Sequence, residues 1–158
     1  MNSKNNITFF ALFSIMMIIS SCGIIQKDYT GSYEMKGQMD PKGEDIYGPF
    51  GGLDIKKIED KTYALSFSIN RGAPSYNMGG FTDTLELKKN QLFYKADPEI
   101  DSTCVITFTF EKNGVQVDQK SIGDGHCGFG YGVSAVGYFK KTSSEEPVLY
   151  HPFTGDKL

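Results

Sequence analysis

Few residues of this 158-residue chain are of types that do chemistry: three cysteines, at positions 22, 104 and 127, and two histidines, at 126 and 151. His126 follows Asp124 by two positions and is flanked by Ser121 and Ser134, the residue types of a Ser-His-Asp hydrolase. Such triads are defined by geometry, and this spacing does not require one. The run Gly123-Asp124-Gly125-His126-Cys127-Gly128 reads as G-x-G-x-x-G. A phosphate cradle of that kind needs a parallel strand before it and a helix after it, and neither pattern is present. The glycines are therefore read as serving a loop with close backbone approach. Asp97, Glu99 and Asp101 alternate as calcium ligands would, but the ordered D-x-D-x-D-G loop is missing, and a solvated turn is the expectation. On these residues no enzyme activity, metal or cofactor is expected.

Cys22 closes a different pattern. Lys4 precedes thirteen mostly apolar residues, 7–19. That run is shorter than the ~20 residues that span a bilayer, and it reads as an export signal. Ile19-Ser20-Ser21-Cys22 resembles the lipobox of bacterial lipoproteins. The resemblance implies cleavage after residue 21, acylation of Cys22 with palmitate-type chains, and a protein held on a membrane of the bacterial cell envelope, the outer membrane before the inner. Cys104 and Cys127 then remain as an even pair in an oxidising compartment, where a disulfide is expected. Two histidines alone are too few for a zinc site. Loss of residues 1–21 removes one charge, Lys4, and takes the formal balance from −3 to −4, against the basic excess of a nucleic-acid binder. The 137 residues that remain suffice for one domain with its own core.

Beyond the leader, the apolar pattern has period two. In residues 62–70, Tyr63, Leu65, Phe67 and Ile69 face one way and Thr62, Ala64, Ser66 and Ser68 the other. Residues 104–111 repeat the pattern with Cys104, Ile106, Phe108 and Phe110. Weaker strands fall at 32–36, 53–58, 81–88, 91–96, 115–119 and 133–140, which makes eight. The connections at 59–61, 89–90 and Asn113-Gly114 are tight hairpins. Those at 37–52, 71–80, 97–103 and 120–132 are long and rich in Gly, Pro and Asp. Long and short connections alternate, so in a meander all four long loops share one end. Closing eight antiparallel strands removes exposed edges and leaves an interior that is filled or holds one small ligand. The predicted fold is all-β, an eight-stranded antiparallel up-and-down, lipocalin-like barrel, with a two-sheet β-sandwich as the alternative. The predicted segments are a leader at 1–21, a lipidated tether at 22–30, the barrel at 31–141, and a polar tail at 142–158. Within that tail, residues 148–150 offer a short ninth strand.

The tether leaves from the tight-turn end, so the long loops point away from the membrane. They carry Asp40, Glu44, Asp45, Asp97, Glu99, Asp101 and Asp124 against Lys36, Lys42, Arg71 and Lys120, an acidic end. The opposite end collects Lys56, Lys57, Lys61, Lys88, Lys89, Lys112, Lys140 and Lys141 against Glu59, Asp60, Glu86 and Glu111. That basic end would face anionic lipid; ordinary turn lysines guarding a barrel rim would look the same. The loops also hold Tyr47, Phe50, Tyr76, Phe129 and Tyr131, which either serve as binding anchors or fold back to plug the barrel mouth.

The lipobox, the size, the inferred barrel and the single disulfide together resemble the membrane-bound inhibitors of C-type lysozyme. Ser134-Ala135-Val136-Gly137-Tyr138 is similar to a Ser-Gly-x-x-Tyr-like motif of that family. The family motif sets serine beside glycine and a basic residue before the tyrosine. Here Ala135 and Val136 separate Ser134 from Gly137, which itself precedes Tyr138. The resemblance implies a partner that is a cationic wall-degrading enzyme, met at the loop end with Ser134 among the contacts. A protein partner or a small ligand at that end, and no nucleic acid, is the resulting expectation. The pattern CVITFTFEKNGV followed by CGFGYGVSAVGYFKK is also similar to small bacterial secreted proteins without an assigned activity.

Overall fold

The structure, a computed structural model, describes residues 27–122 and 126–158. The strands are β1 Gly31–Met35, β2 Gln38–Met39, β3 Ile46–Tyr47, β4 Phe50–Lys57, β5 Thr62–Asn70, β6 Met78–Glu86, β7 Gln91–Lys95, β8 Val105–Phe110, β9 Gly114–Lys120 and β10 Gly137–Ser143, with one helical turn, α1 Pro98–Asp101, between β7 and β8. Eight strands form a single antiparallel sheet in the order β6-β5-β4-β1-β10-β9-β8-β7, and β2 pairs with β3 in a small separate sheet. With that hairpin set aside, sheet neighbours are chain neighbours, and the first strand lies beside the last. This is an up-and-down, nearly closed barrel in one continuous sheet, not two stacked sheets. The seam falls between β6 and β7, whose hairpin closes through one bridge, Lys88 to Gln91. Across it the rings of Phe81 and Tyr94 stack 3.5 Å apart.

The period-two pattern maps onto the barrel directly. On β5 the side chains of Tyr63, Leu65, Phe67 and Ile69 are buried, and the alternate residues up to Ser68 are half-exposed. Phe67 sits at the centre, its ring centroid 5.5 Å from those of Phe81, Phe108 and Phe139. Burying one such side chain contributes ~1.5–3 kcal/mol, and each aromatic pair about 0.5–1.5 kcal/mol more. An eight-stranded barrel is just wide enough to be filled by side chains, and aromatic rings fill this one. The Tyr63 hydroxyl is buried too; it points at the Tyr29 backbone yet makes no bond of acceptable geometry to any described group.

Several stretches depart from the simple strand reading. β4 begins at Phe50, not at 53, and β6 at Met78, not at 81, so Phe50 lies on a strand and not in a loop, and the β2–β3 hairpin takes up part of the 37–52 connection. Residues 27–30 belong to the barrel: Tyr29 is buried, stacks on Phe110 at 3.9 Å and accepts the Tyr33 hydroxyl at its carbonyl. The last strand begins at Gly137, not at 133 as expected, and runs to Ser143. Its inward alternation does start early, at buried Val133 and Ala135, but the Ala135 amide donates to the Gln119 side chain, so the ladder with β9 opens only at Gly137–Val117. Residues 144–158 lie across the outer face of β4 to β6. Lys56 pairs with Glu146 at 2.7 Å, the Ser66 hydroxyl donates to the Tyr150 carbonyl, and Leu149 is buried. Tyr150 bridges Lys157 rather than adding to the barrel, so the offered ninth strand becomes half of a small terminal loop. Among the described residues, the buried apolar side chains fall between Tyr29 and Leu149, and those from Tyr29 to Phe139 form one core.

Candidate functional site

The four long loops share one end of the barrel, where backbone and side-chain bonds stitch them together. The Ala73 amide donates to the Ile46 carbonyl, which joins the β1–β4 connection to the β5–β6 loop. The Tyr76 hydroxyl donates to Asp45 at 2.8 Å and accepts the Ile46 amide, tightening the same junction. The Gly130 amide donates to the Met78 carbonyl, and the Asn77 side chain donates to the Tyr131 carbonyl, joining that loop to the one between β9 and β10. The disulfide Cys104–Cys127 ties the β9–β10 loop to the start of β8, across 23 positions of sequence. Tyr76 and Cys127 both adopt left-handed backbone, at φ 51° and 56°. Such conformations cost on the order of 1–3 kcal/mol and persist only where the surroundings fix them, here hydrogen bonds and a covalent link.

The acidic residues of these loops work mainly on the loops themselves. Asp40 accepts the Glu44 and Asp45 amides; desolvation, the largest single effect, would raise its carboxyl, but the backbone bonds from residues 42–45 together lower it below the usual carboxylate range. Asp97 caps α1 by accepting the Glu99 amide, with Pro98 at the first helical position. Asp101 is turned inward. Its carboxylate accepts the Ser121 hydroxyl at 2.7 Å, the Thr103 hydroxyl at 2.8 Å, and the Thr103 and Cys127 amides. The Ser121 bond, then the Thr103 bonds, hold its carboxyl far below the usual range against a smaller desolvation effect. The expected solvated turn at 97–101 is therefore a capped helical turn whose last carboxylate braces the disulfide loop. The sulfurs of Cys104 and Cys127 lie close to Asp101, but bonded to each other they offer no thiolate to a metal.

The aromatic candidates divide. Phe129 is a plug: it is 9% exposed, over the core near Phe67, with its ring against Gly79, where any Cβ would collide with it. Phe50 is half-buried with its ring edge on Tyr76. Tyr47 and Tyr131 stand out in solvent, Tyr131 at 78% exposure. Also exposed at this end are three apolar side chains that the sequence reading passed over: Met78 at the start of β6, Ile100, whose side chain lies against Gly128, and Ile122, the last 81% exposed. Ile100 and Ile122 break the polar run of their loops, which was the available signal. Ser134 is exposed, and its hydroxyl accepts a long bond from the Val136 amide at 3.4 Å. Asp97 and Glu99 are exposed on the same loop as Ile100.

Of the hydrolase candidates, Ser121, Ser134 and His126 are among the described residues. The Ser121 hydroxyl is committed to Asp101, and the nearest described ring to His126 is Tyr131, at 6.5 Å. Asp124 and Cys22, the lipidation candidate, lie outside the described residues. No helix among the described residues is long and apolar enough to cross a membrane. No protein-family model, curated protein or solved structure matches this chain.

Proposed function

We propose that this chain is a lipid-anchored binding module of the bacterial cell envelope whose loop end docks a cationic protein, a wall-degrading enzyme of the lysozyme class being the first candidate. The observation that carries this reading is the combination at the loop end. Tyr131, Ile100 and Ile122, on the loops, and Met78, at the start of β6, are all exposed at one end of the barrel, where a disulfide and cross-loop hydrogen bonds hold the loops in place. Apolar groups exposed at one end of a barrel suit a contact surface, and aromatic side chains on braced loops make efficient anchors. The exposed carboxylates of Asp97 and Glu99 beside Ile100 give the patch an acidic rim suited to a cationic partner. The side chains that pack the interior support a surface mode of binding over a small ligand inside the barrel.

One observation favours a second reading, a structural envelope lipoprotein with no specific ligand: Asp40, Asp45, Asp97 and Asp101 all serve local hydrogen bonds. The two readings part on direct binding of a C-type lysozyme to residues 23–158, with Tyr131→Ala as the control variant. Saturable binding weakened by that substitution supports the module, and no binding at low salt leaves the structural role.

A further inference from the structure

The end of the barrel opposite the loops carries an unused surface of its own. Lys27, Lys61, Lys88, Lys89 and Lys112 are all exposed around the tight turns, and none forms an ion pair among the described residues. Ile58 projects from the β4–β5 turn at 53% exposure, between Lys57 and Lys61. The acids at this end are Asp28, Glu59, Asp60, Glu86 and Glu111, of which Asp60 is within 3.9 Å of Lys57. An apolar side chain at a turn tip, on a rim whose lysines outnumber its acids, matches the interfacial layer of a membrane, where apolar groups sink to the headgroup boundary and cations meet anionic lipid.

The path of the chain places the same surface. Tyr29, stacked on Phe110, fixes the entry of the N-terminal segment at this end, and Lys27 reaches the Glu111 carbonyl of the β8–β9 turn. Lys27 follows Cys22 by five positions. Fully extended that stretch spans at most ~18 Å, so a chain acylated at Cys22 holds this rim within about two Debye lengths of the headgroups at physiological salt.

We infer that the tight-turn end is a membrane-docking face, with Ile58 entering the interface of an anionic bilayer and Lys27, Lys61, Lys88, Lys89 and Lys112 meeting its headgroups. The inference rests on the anchored reading above, and it adds an orientation: the barrel stands on this rim and presents its loops outward. Each lysine at an anionic surface is worth about 1 kcal/mol, or roughly fivefold in partition.

The test uses unacylated residues 23–158 and sedimentation with vesicles. One set is pure phosphatidylcholine and the other contains phosphatidylglycerol as a minor anionic component. Binding to the anionic vesicles alone, falling with salt, is expected. Lys61→Gln, Lys88→Gln, Lys89→Gln and Lys112→Gln together should weaken it by about a hundredfold or more, Ile58→Ser severalfold, and Asp97→Asn with Glu99→Gln not at all. Binding that ignores lipid charge, binding that survives the four substitutions in a variant with unchanged circular dichroism, or no binding to either vesicle would overturn the inference. Acyl labelling of the full chain against Cys22→Ala is scored separately. A labelled chain whose barrel ignores vesicles sinks the docking face but keeps the anchor, and vesicle binding without labelling does the reverse.

Discussion

Replacing both Cys104 and Cys127 by alanine removes the covalent brace of the loop end, and the cost follows from the length of chain it closes. The bond spans 23 positions. In the chain-entropy account a loop of that length restricts the unfolded chain by roughly 11 cal/mol/K, which is about 3.4 kcal/mol at 25 °C. A folded unit of this size gains ~0.28 kcal/mol/K of entropy on unfolding, so the double variant should melt about 12 °C lower. Calorimetry of the oxidised chain and the variant measures the difference directly. The loss should be local as well as global, because the bond holds the loop that carries Phe129 and Tyr131 against β8. Amide exchange should therefore rise at residues 127–133 well before it rises on β5. A variant that melts within about 2 °C of the parent, with unchanged exchange in that loop, would refute the view that the disulfide organises the loop end.

Asp101→Asn should destabilise the same loop, since an amide cannot accept all four bonds from Ser121, Thr103 and Cys127. Because the folded carboxyl titrates below its unfolded value, its stabilisation is complete above the unfolded pKa near ~4 and is lost as pH falls through and below that value. Melting curves from pH 7 to pH 2 should show a steeper acid loss for the parent than for Asp101→Asn, and parallel curves would contradict the assignment. Tyr63→Phe removes a buried hydroxyl that has no partner among the described residues. It should leave stability unchanged or raise it by about 1 kcal/mol, read as a shift in the denaturant midpoint; a loss above that size would mean the hydroxyl is bonded after all.

The parts of this fold that are legible in the sequence are those set by period-two burial and turn chemistry. The eight barrel strands, the tight hairpin at Asn113-Gly114 and the gathering of long loops at one end all follow from alternation and connection length. The Cys104–Cys127 pairing follows from parity once Cys22 is set aside. What alternation cannot register is a bond between a side chain and a distant backbone. Asp101 looks like one of three solvated carboxylates, and only the fold brings Ser121 and Cys127 to it. For that reason a charge test at the loop end has to change Asp97 and Glu99 and spare Asp101. The α1 turn was readable from Asp97-Pro98-Glu99, a cap followed by proline at the first position. The packing of residues 144–158 was not, because Leu149 and Tyr150 are too few apolar residues to stand out from a polar run. Tyr47 and Phe129 have the same sequence credentials, and the room for the inward Phe129 ring comes from Gly79, far away in the sequence.

The claim that the loop end docks a cationic protein is tested most directly by surface plasmon resonance. Residues 23–158 are immobilised and a panel of C-type lysozymes is passed over them at low and physiological salt. The account predicts saturable binding whose association rate falls as salt rises. Asp97→Asn with Glu99→Gln should slow association about threefold to tenfold at low salt. Tyr131→Ala should speed dissociation instead, as loss of a contact anchor does. No binding at low salt by any lysozyme of the panel, or binding indifferent to all three substitutions, would contradict it and leave the structural lipoprotein as the better account.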